Sequence, residues 1–259
     1  MISVVIRNKN QSVALSFLLK NLTERYLDDI AEIIVIDNLS TDSSKEVAEK
    51  FGARFVTINN FSFGGSANLC AKEAKNTIVV IFSAHSYPVS NDFFRLIQAK
   101  FENNSNLAGL RCLHNTNDYK NFINKIPAAI DPNKSGLIFS GSAFSKAIWE
   151  KHPFREDVAT FEDKEWTVRV LKEGYDIDFV EAIFSYEIKR TPQQLFFRFK
   201  NDVVGNYQLW HQDISLLQAI KGLLFSVFYL IKSFAIDFWY AVLRFLYLIK
   251  FMFDKPNKF

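Results

Sequence analysis

Four short groups of residues in this sequence have types that could do chemistry. Glu162-Asp163 puts two carboxylates side by side ahead of an amphipathic stretch. A carboxylate held near a hydroxyl can accept its proton. The same pair also suits the first turn of a helix, where acidic side chains meet the positive end of the dipole. Arg7-Asn8-Lys9-Asn10, Asp37-Asn38 and Ser83-Ala84-His85-Ser86 each follow a short apolar run directly. Asn, Asp and Ser are common turn and capping residues. Three such groups at successive strand ends also occupy the usual address of a ligand crevice. His85 could ligate a cation such as Mn2+, or be a hydrogen-bonded structural histidine after a buried strand. Apart from these groups, Arg198 and Lys200, in Gln193–Lys200, are cations that read first as a solvated basic face.

The elements that must position these groups follow from periodicity. Apolar runs at Ile2–Ile6, Ile33–Ile36, Phe55–Ile58 and Ile78–Phe82 read as strands. Helix-like stretches lie between and after them at Val13–Leu22, Ser43–Phe51, Ala67–Ala74 and Phe93–Phe101. Alternation of this kind predicts an α/β fold with a mainly parallel sheet and helices on both faces. Ile33–Ile36 is continuously apolar, as a strand buried on both sides should be. Ser43 with Glu46 three residues later suggests a capping box. Further on, Leu107–Leu113 and Leu137-Ile138-Phe139 read as strands, Phe144–Glu150 and Glu162–Gly174 as helices.

Composition narrows the class. The 259 residues are 49% hydrophobic and 23% charged, enough for a packed core. Cys70 and Cys112 are the only cysteines, and their spacing supports neither a disulfide scaffold nor a zinc site. Buried thiols are expected instead. No basic stretch precedes an apolar one at the N-terminus, which predicts a body that stays in the cytoplasm. Of the net charge of +3, the stretch 216–259 carries six Lys/Arg against two Asp, or +4, leaving −1 for the rest. A nearly neutral body does not suit a nucleic-acid partner.

Taken in order, these groups resemble family 2 glycosyltransferases of the GT-A (Rossmann-like) fold. Ile2–Asn10 resembles that family's opening strand. Ile33-Ile34-Val35-Ile36-Asp37-Asn38-Leu39-Ser40-Thr41-Asp42 is similar to its second-strand signature. Phe63-Gly64-Gly65-Ser66-Ala67-Asn68 is similar to its glycine-rich helix entry, and Glu162-Asp163 followed by Trp166 to its acidic pair. The match runs from residue 2 to about residue 200. The resemblance implies a hexosyl- or deoxyhexosyltransferase using a nucleoside-diphosphate sugar and a glycan or lipid-linked acceptor. It implies donor contacts from Arg7, Asn8, Lys9, Asp37, Gly65, Asn68, Ser83, His85 and Arg198, with Asp37 on the base or ribose. Gly64 and Gly65 would let backbone approach the donor. Asp163 would be the base of an inverting transfer, Glu162 its supporting neighbour, and Trp166 an acceptor contact.

One departure stands out. Where relatives carry Asp-x-Asp to hold a divalent ion, this chain has Ser83-Ala84-His85. Mn2+ or Mg2+ dependence is therefore expected to be weak or absent, with His85, aided by Glu187, as the remaining ligand, or with Arg198 and Lys200 neutralising the diphosphate. A nucleotidyltransferase would need a glycine- and lysine-rich phosphate loop after the first strand, which Arg7–Asn10 is not. A catalytically silent sugar-nucleotide scaffold is the alternative from another class.

The domain is expected to end near residue 205. Residues 206–259 are expected to form amphipathic helices that bind the inner face of the cell membrane, or to serve a homo-oligomer. Lys221, Lys232, Asp237, Arg244 and Lys250 interrupt the apolar run, so no uncharged stretch reaches the ~18 residues of a spanning helix. Lys221, Lys232 and Lys250 fall near one direction at helical spacing, leaving a wide apolar face.

Overall fold

A computed structural model describes residues 1–258. The chain begins β1 (Ile2–Asn8), α1 (Ser12–Arg25), β2 (Glu32–Asp37), α2 (Ser44–Lys50), β3 (Arg54–Thr57), α3 (Phe63–Glu73), β4 (Ile78–Ser83). It continues β5 (Ser86–Pro88), α4 (Phe93–Asn103), β6 (Leu107–Leu113), α5 (Thr116–Ile123), α6 (Pro132–Ser135), β7 (Ser142–Ser145), α7 (Lys146–Lys151). It closes with α8 (Glu162–Lys172), β8 (Asp176–Tyr186), α9 (Pro192–Trp210) and α10 (Leu216–Phe253). The strands form one sheet in the order β3-β2-β1-β4-β7-β6-β8-β5. Strand β7 is antiparallel to both neighbours and β5 to β8; the other pairs are parallel.

Alternation along the strands fills both faces. Ile2, Val4 and Ile6 join one core with Leu15, Leu18 and Leu19 of α1 and Phe93 and Phe94 of α4. Val5, Ile34 and Ile81 face the other, with Ala67 and Cys70 of α3 and Trp166 and Val170 of α8. Period-two side-chain placement puts neighbours in a strand on opposite faces, so a strand buried on both sides must be apolar throughout. Cys70 and Cys112 are both free and buried.

Two local expectations are corrected. Leu137–Phe139 is not a strand, because side chains take its backbone groups. Leu137 N donates to Thr167 Oγ1, Lys164 Nζ to Leu137 O, Phe139 N to Asp163 Oδ2, and Arg7 Nη2 to Phe139 O. The segment is thereby a strap tied to α8 and β1. Ser43 is the N-cap of α2, but its side chain makes no capping bond; Asp42 Oδ1 accepts from Ser44 N instead.

Contacts divide the chain into two compact units, Met1–Trp210 and a second beginning at His211. Within the first, α9 seats against the entry to α8 through Gly205, where a Cβ would lie 2.7 Å from both Thr160 and Phe161. The second unit contains one continuous helix, α10, rather than the several expected. None of its residues is buried, and it is long and apolar enough to cross a membrane by length and composition.

Candidate active site

Register places three of the four chemical groups on one edge. Asn8 is paired with Asp37 across β1 and β2, and Arg7 with Ser83 across β1 and β4. Neighbouring strands lie about 4.8 Å apart, so the three carboxyl ends span roughly 10 Å. The fourth group reaches the same edge through the strap. Asp163 Oδ2 accepts from Phe139 N at 3.3 Å, and Arg7 Nη2 donates to Phe139 O at 2.9 Å. Arg7 Nη1 lies 3.5 Å from Glu162 Oε1 and 3.4 Å from Ser66 Oγ. Next along, Ser83 N donates to Ser140 Oγ, which donates to Ser86 Oγ at 2.7 Å. Asp37, the Ser83–His85 turn and Glu162-Asp163 thus border a common edge.

The two carboxylates of the pair differ in environment. Glu162 is buried, and burial together with the neighbouring Asp163 pushes its carboxyl up to about 7, against the pull of Arg7. Asp163 is half-buried; besides Phe139 N its carboxylate accepts from Lys164 N at 2.8 Å. Burial pulls the Lys164 ammonium down to about 8, opposed by Asp163.

His85 sits in the turn after β4. Its Nδ1 is 2.8 Å from Gln11 Oε1, so Nδ1 carries the proton and Nε2 keeps its lone pair. Nε2 is buried without a hydrogen-bond partner. Burial first, then Arg190 and Arg7, pulls the imidazole down to about 4, so it is neutral near pH 7. Tyr186 meets the ring edge-on at 4.9 Å. A neutral nitrogen with a free lone pair suits a cation or a hydroxyl donor. A divalent ion needs more ligands, and among the described residues no three His, Cys, Asp or Glu gather to hold one. The donor set therefore does not fit a protein-held metal. Glu187, the expected helper, instead accepts from Tyr87 Oη at 3.2 Å.

Several expected site residues serve the scaffold. Trp166, read as an acceptor contact, is 0% exposed; it packs on Phe144 and Phe154 and donates from Nε1 to His152 O at 2.6 Å. Asn68 staples the end of α7 to the segment that follows it: Oδ1 accepts from Trp149 Nε1 and Phe154 N, and Nδ2 donates to Phe154 O and Glu156 Oε1. The close approach at the glycine pair is to protein, since a Cβ on Gly64 would stand 2.0 Å from Arg155 O. Beside it, a Cβ on Gly65 would lie 2.8 Å from Ser62 Oγ. Asp37 is 2% exposed and holds the turn, accepting from Asn8 Nδ2, Ser40 N and Ser40 Oγ. Asn8 Oδ1 beside it is buried and unpartnered. Arg198 is 56% exposed and pairs with Asp202 on α9, and Lys200 lies over Phe196; neither is brought to this edge. Lys9 is exposed at the end of the group.

Sequence reading missed Gln11, Ser140, Arg190, Tyr186 and the His114–Asp118 pair. The positions of His114 just past the apolar run Leu107–Leu113 and of Ser140 just past Leu137–Phe139 could have signalled those two.

Comparison with known proteins agrees with this fold. The family model for glycosyl transferase family 2 matches residues 3–159. No curated protein sequence matches the chain. Among solved structures, a mannosyltransferase from Pyrobaculum calidifontis in complex with GDP-Man and Mn2+ is similar with a TM-score of 0.63 at 17% identity. That likeness covers 84% of this chain and 66% of the mannosyltransferase, about two thirds of its length. A glucosyl-3-phosphoglycerate synthase from Mycobacterium tuberculosis in complex with Mn2+ and UDP-glucose gives a TM-score of 0.60 at 16% identity, covering 83% and 80%. The same synthase in complex with Mg2+ and UDP gives 0.54 at 16% identity, covering 75% and 74%. At these identities the solved structures speak for a GT-A fold. The family match spans more than half of the chain, which therefore belongs to glycosyltransferase family 2.

Proposed function

We propose that the chain transfers a sugar from a nucleoside diphosphate to an acceptor hydroxyl with inversion, Asp163 acting as base. The supporting observation is the common carboxyl edge that joins the Asp37 end, the His85 turn and Asp163 through the Leu137–Phe139 strap. The acceptor oxygen attacks the anomeric carbon as its bond to the diphosphate oxygen breaks. The bonding pair leaves with the diphosphate, and the hydroxyl proton passes to Asp163. Arg7 and Arg190, whose charges both act on His85, are the cations near the place where negative charge develops. The residues present at this turn, a neutral His85 imidazole between Ser83 and Ser86 with no carboxylate in the run, support weak dependence on divalent cations.

The acceptor is proposed to be a membrane-borne glycan or lipid-linked sugar in cell-surface polysaccharide assembly, reached from the lipid surface. At about 100° per residue, the five charged residues of α10 fall within an arc of about 160°. The opposite arc is apolar throughout and includes Ile220, Leu223, Phe234, Phe238, Phe245 and Ile249. One-sided charge on a helix of about 57 Å favours lying in the interface over crossing it.

The test is turnover with UDP-glucose and GDP-mannose against a set of octyl glycosides, in wild type and Asp163→Asn. The variant is expected to lose transfer by at least about 100-fold while binding UDP or GDP unchanged. Normal turnover by the variant removes Asp163 from the mechanism. A wild type that binds nucleotide yet transfers to nothing makes the chain a silent scaffold. Full loss of activity in chelator, restored by Mn2+, would overturn weak metal dependence.

A further inference from the structure

Strand β6 runs parallel to β1 and β4, so its last residue, Leu113, reaches the same carboxyl edge. His114 follows it. Its ring lies nearly flat on Phe184, centroids 4.6 Å apart, and 6.1 Å from the ring of Tyr186, which in turn meets His85. His114 Nδ1 is 2.6 Å from Asp118 Oδ2. Asp118 is fully buried and is itself fixed from behind. Arg111 donates to Oδ1 through Nε at 3.0 Å and Nη2 at 2.8 Å, and a third bond runs from Arg111 Nη1 to Gly136 O.

Burial alone would raise the Asp118 carboxyl, but the bonds from His114 and Arg111 outweigh it and hold it below the usual range. With Nδ1 committed as donor to this carboxylate, the neutral form of the imidazole is the tautomer whose lone pair is on Nε2. Asn115 Nδ2 is 3.0 Å from Nε2 but also 3.3 Å from Nδ1, so it lies over the ring face, off the in-plane axis of the Nε2 lone pair, and it donates to Asp118 Oδ2. The His114 side chain remains 20% exposed while the charges beneath it are sealed. A buried Arg–Asp pair contributes little net stability, since desolvation offsets its attraction. Its effect here is to fix the direction and tautomer of one accessible imidazole.

The place of this imidazole decides what it meets. The nucleotide end of the crevice lies at β2 and β1; β6 lies beyond β4 and β7, on the other side of the His85 turn. Lys164, adjacent to Asp163, feels the charges of Arg111 and Asp118, so the group borders the acidic pair as well. We propose that His114, oriented by Asp118 and Arg111 and walled by Tyr186, is the acceptor subsite, binding a ring hydroxyl of a glycosyl acceptor through Nε2. The hydroxyl donates to Nε2, and the half-exposed aromatic edge of Tyr186 faces the apolar side of the sugar ring. His114 is a binding residue, and Asp118 a positioning residue that acts through it. The assignment rests on the transferase reading above.

The test uses the full chain. His114→Phe keeps the stacking on Phe184 and removes both nitrogens. With UDP-glucose or GDP-mannose as donor and octyl glycosides as acceptors, it should raise the acceptor KM about tenfold, the loss of one hydrogen bond, and leave the donor KM within twofold. An unchanged acceptor KM overturns the proposal. In parallel, 15N-histidine-labelled wild type reports the ring nitrogens of His114 directly. Nε2 should resonate as an unprotonated nitrogen and shift on titration with a glycoside, and Asp118→Asn should mix the tautomers. If wild type turns over no pair, the transferase reading fails, and the titration alone judges the subsite. A His114 signal that ignores every glycoside then overturns it.

Discussion

Replacing Arg7 with methionine tests how the site's charges are balanced. Arg7 makes a charge-assisted bond to Phe139 O, stacks over the Phe139 ring at 5.1 Å, and lies 3.5 Å from the buried Glu162 carboxylate. Glu162 titrates near 7 in the fold, above the ordinary 4.5, so the folded state holds more protons between those values. Its contribution is present below pH 4.5 and is lost as pH rises through 7. At pH 5 Glu162 is protonated with or without Arg7, and Arg7→Met should cost only the bond to Phe139, about 2 kcal/mol. At pH 8 the wild type has an ionised, paired Glu162. The variant must keep the proton or bury an unpaired charge. Losing Arg7 raises that carboxyl further, and at pH 8, one unit above the wild-type value, the added cost levels off at about 1.4 kcal/mol, bringing the total to roughly 3–4 kcal/mol. Urea unfolding of both proteins at pH 5, 7 and 8 measures the difference. A loss that stays constant across this range refutes the coupling of Arg7 to Glu162.

Trp166→Ala should lose about 3–5 kcal/mol of stability, and Trp166→Phe should recover most of it with acceptor KM unaltered, as a core residue requires. A selective rise in acceptor KM for the folded Phe variant would restore Trp166 to the substrate. Gly64→Ala should cost about 1–3 kcal/mol through the clash with Arg155 O and lower the thermal midpoint. A midpoint equal to wild type would show that the loop yields freely. Changing Lys221, Lys232 and Lys250 together to Glu should abolish sedimentation with phosphatidylglycerol-containing vesicles, at about 1 kcal/mol per lysine. Wild type remaining with the membrane in alkaline carbonate would mean that α10 crosses the bilayer.

The parallel half of the sheet was legible because each strand is built on a short apolar run, and β1, β2 and β4 each end in a polar cluster. Its carboxyl edge followed from the same alternation. Strand β8 was not legible, since Asp176, Asp178 and Glu181 break its pattern; it is apolar only at its inward positions. Leu137–Phe139 has strand-forming residues, but partners from α8 took its backbone, which no local signal announces. The site divides in the same way. Asp37 and Ser83 were found at strand ends, whereas Gln11 lies 74 residues from His85 and matters only through that contact. Trp166 and Asn68 were placed on the right helices with the wrong tasks, because periodicity gives an element's existence more readily than the direction of one side chain.

The strap at Leu137–Phe139 carries a thermodynamic consequence. Phe139 offers its N–H to the proposed base and its carbonyl to the arginine at the end of the first strand. One peptide segment thus ties together the places where donor and acceptor would be handled. Whatever factor occupancy at Arg7 applies to the affinity of a ligand at Asp163, that ligand must apply in equal measure to affinity at Arg7. Mutual dependence of the two substrates would then be a property of this backbone, with no moving lid required.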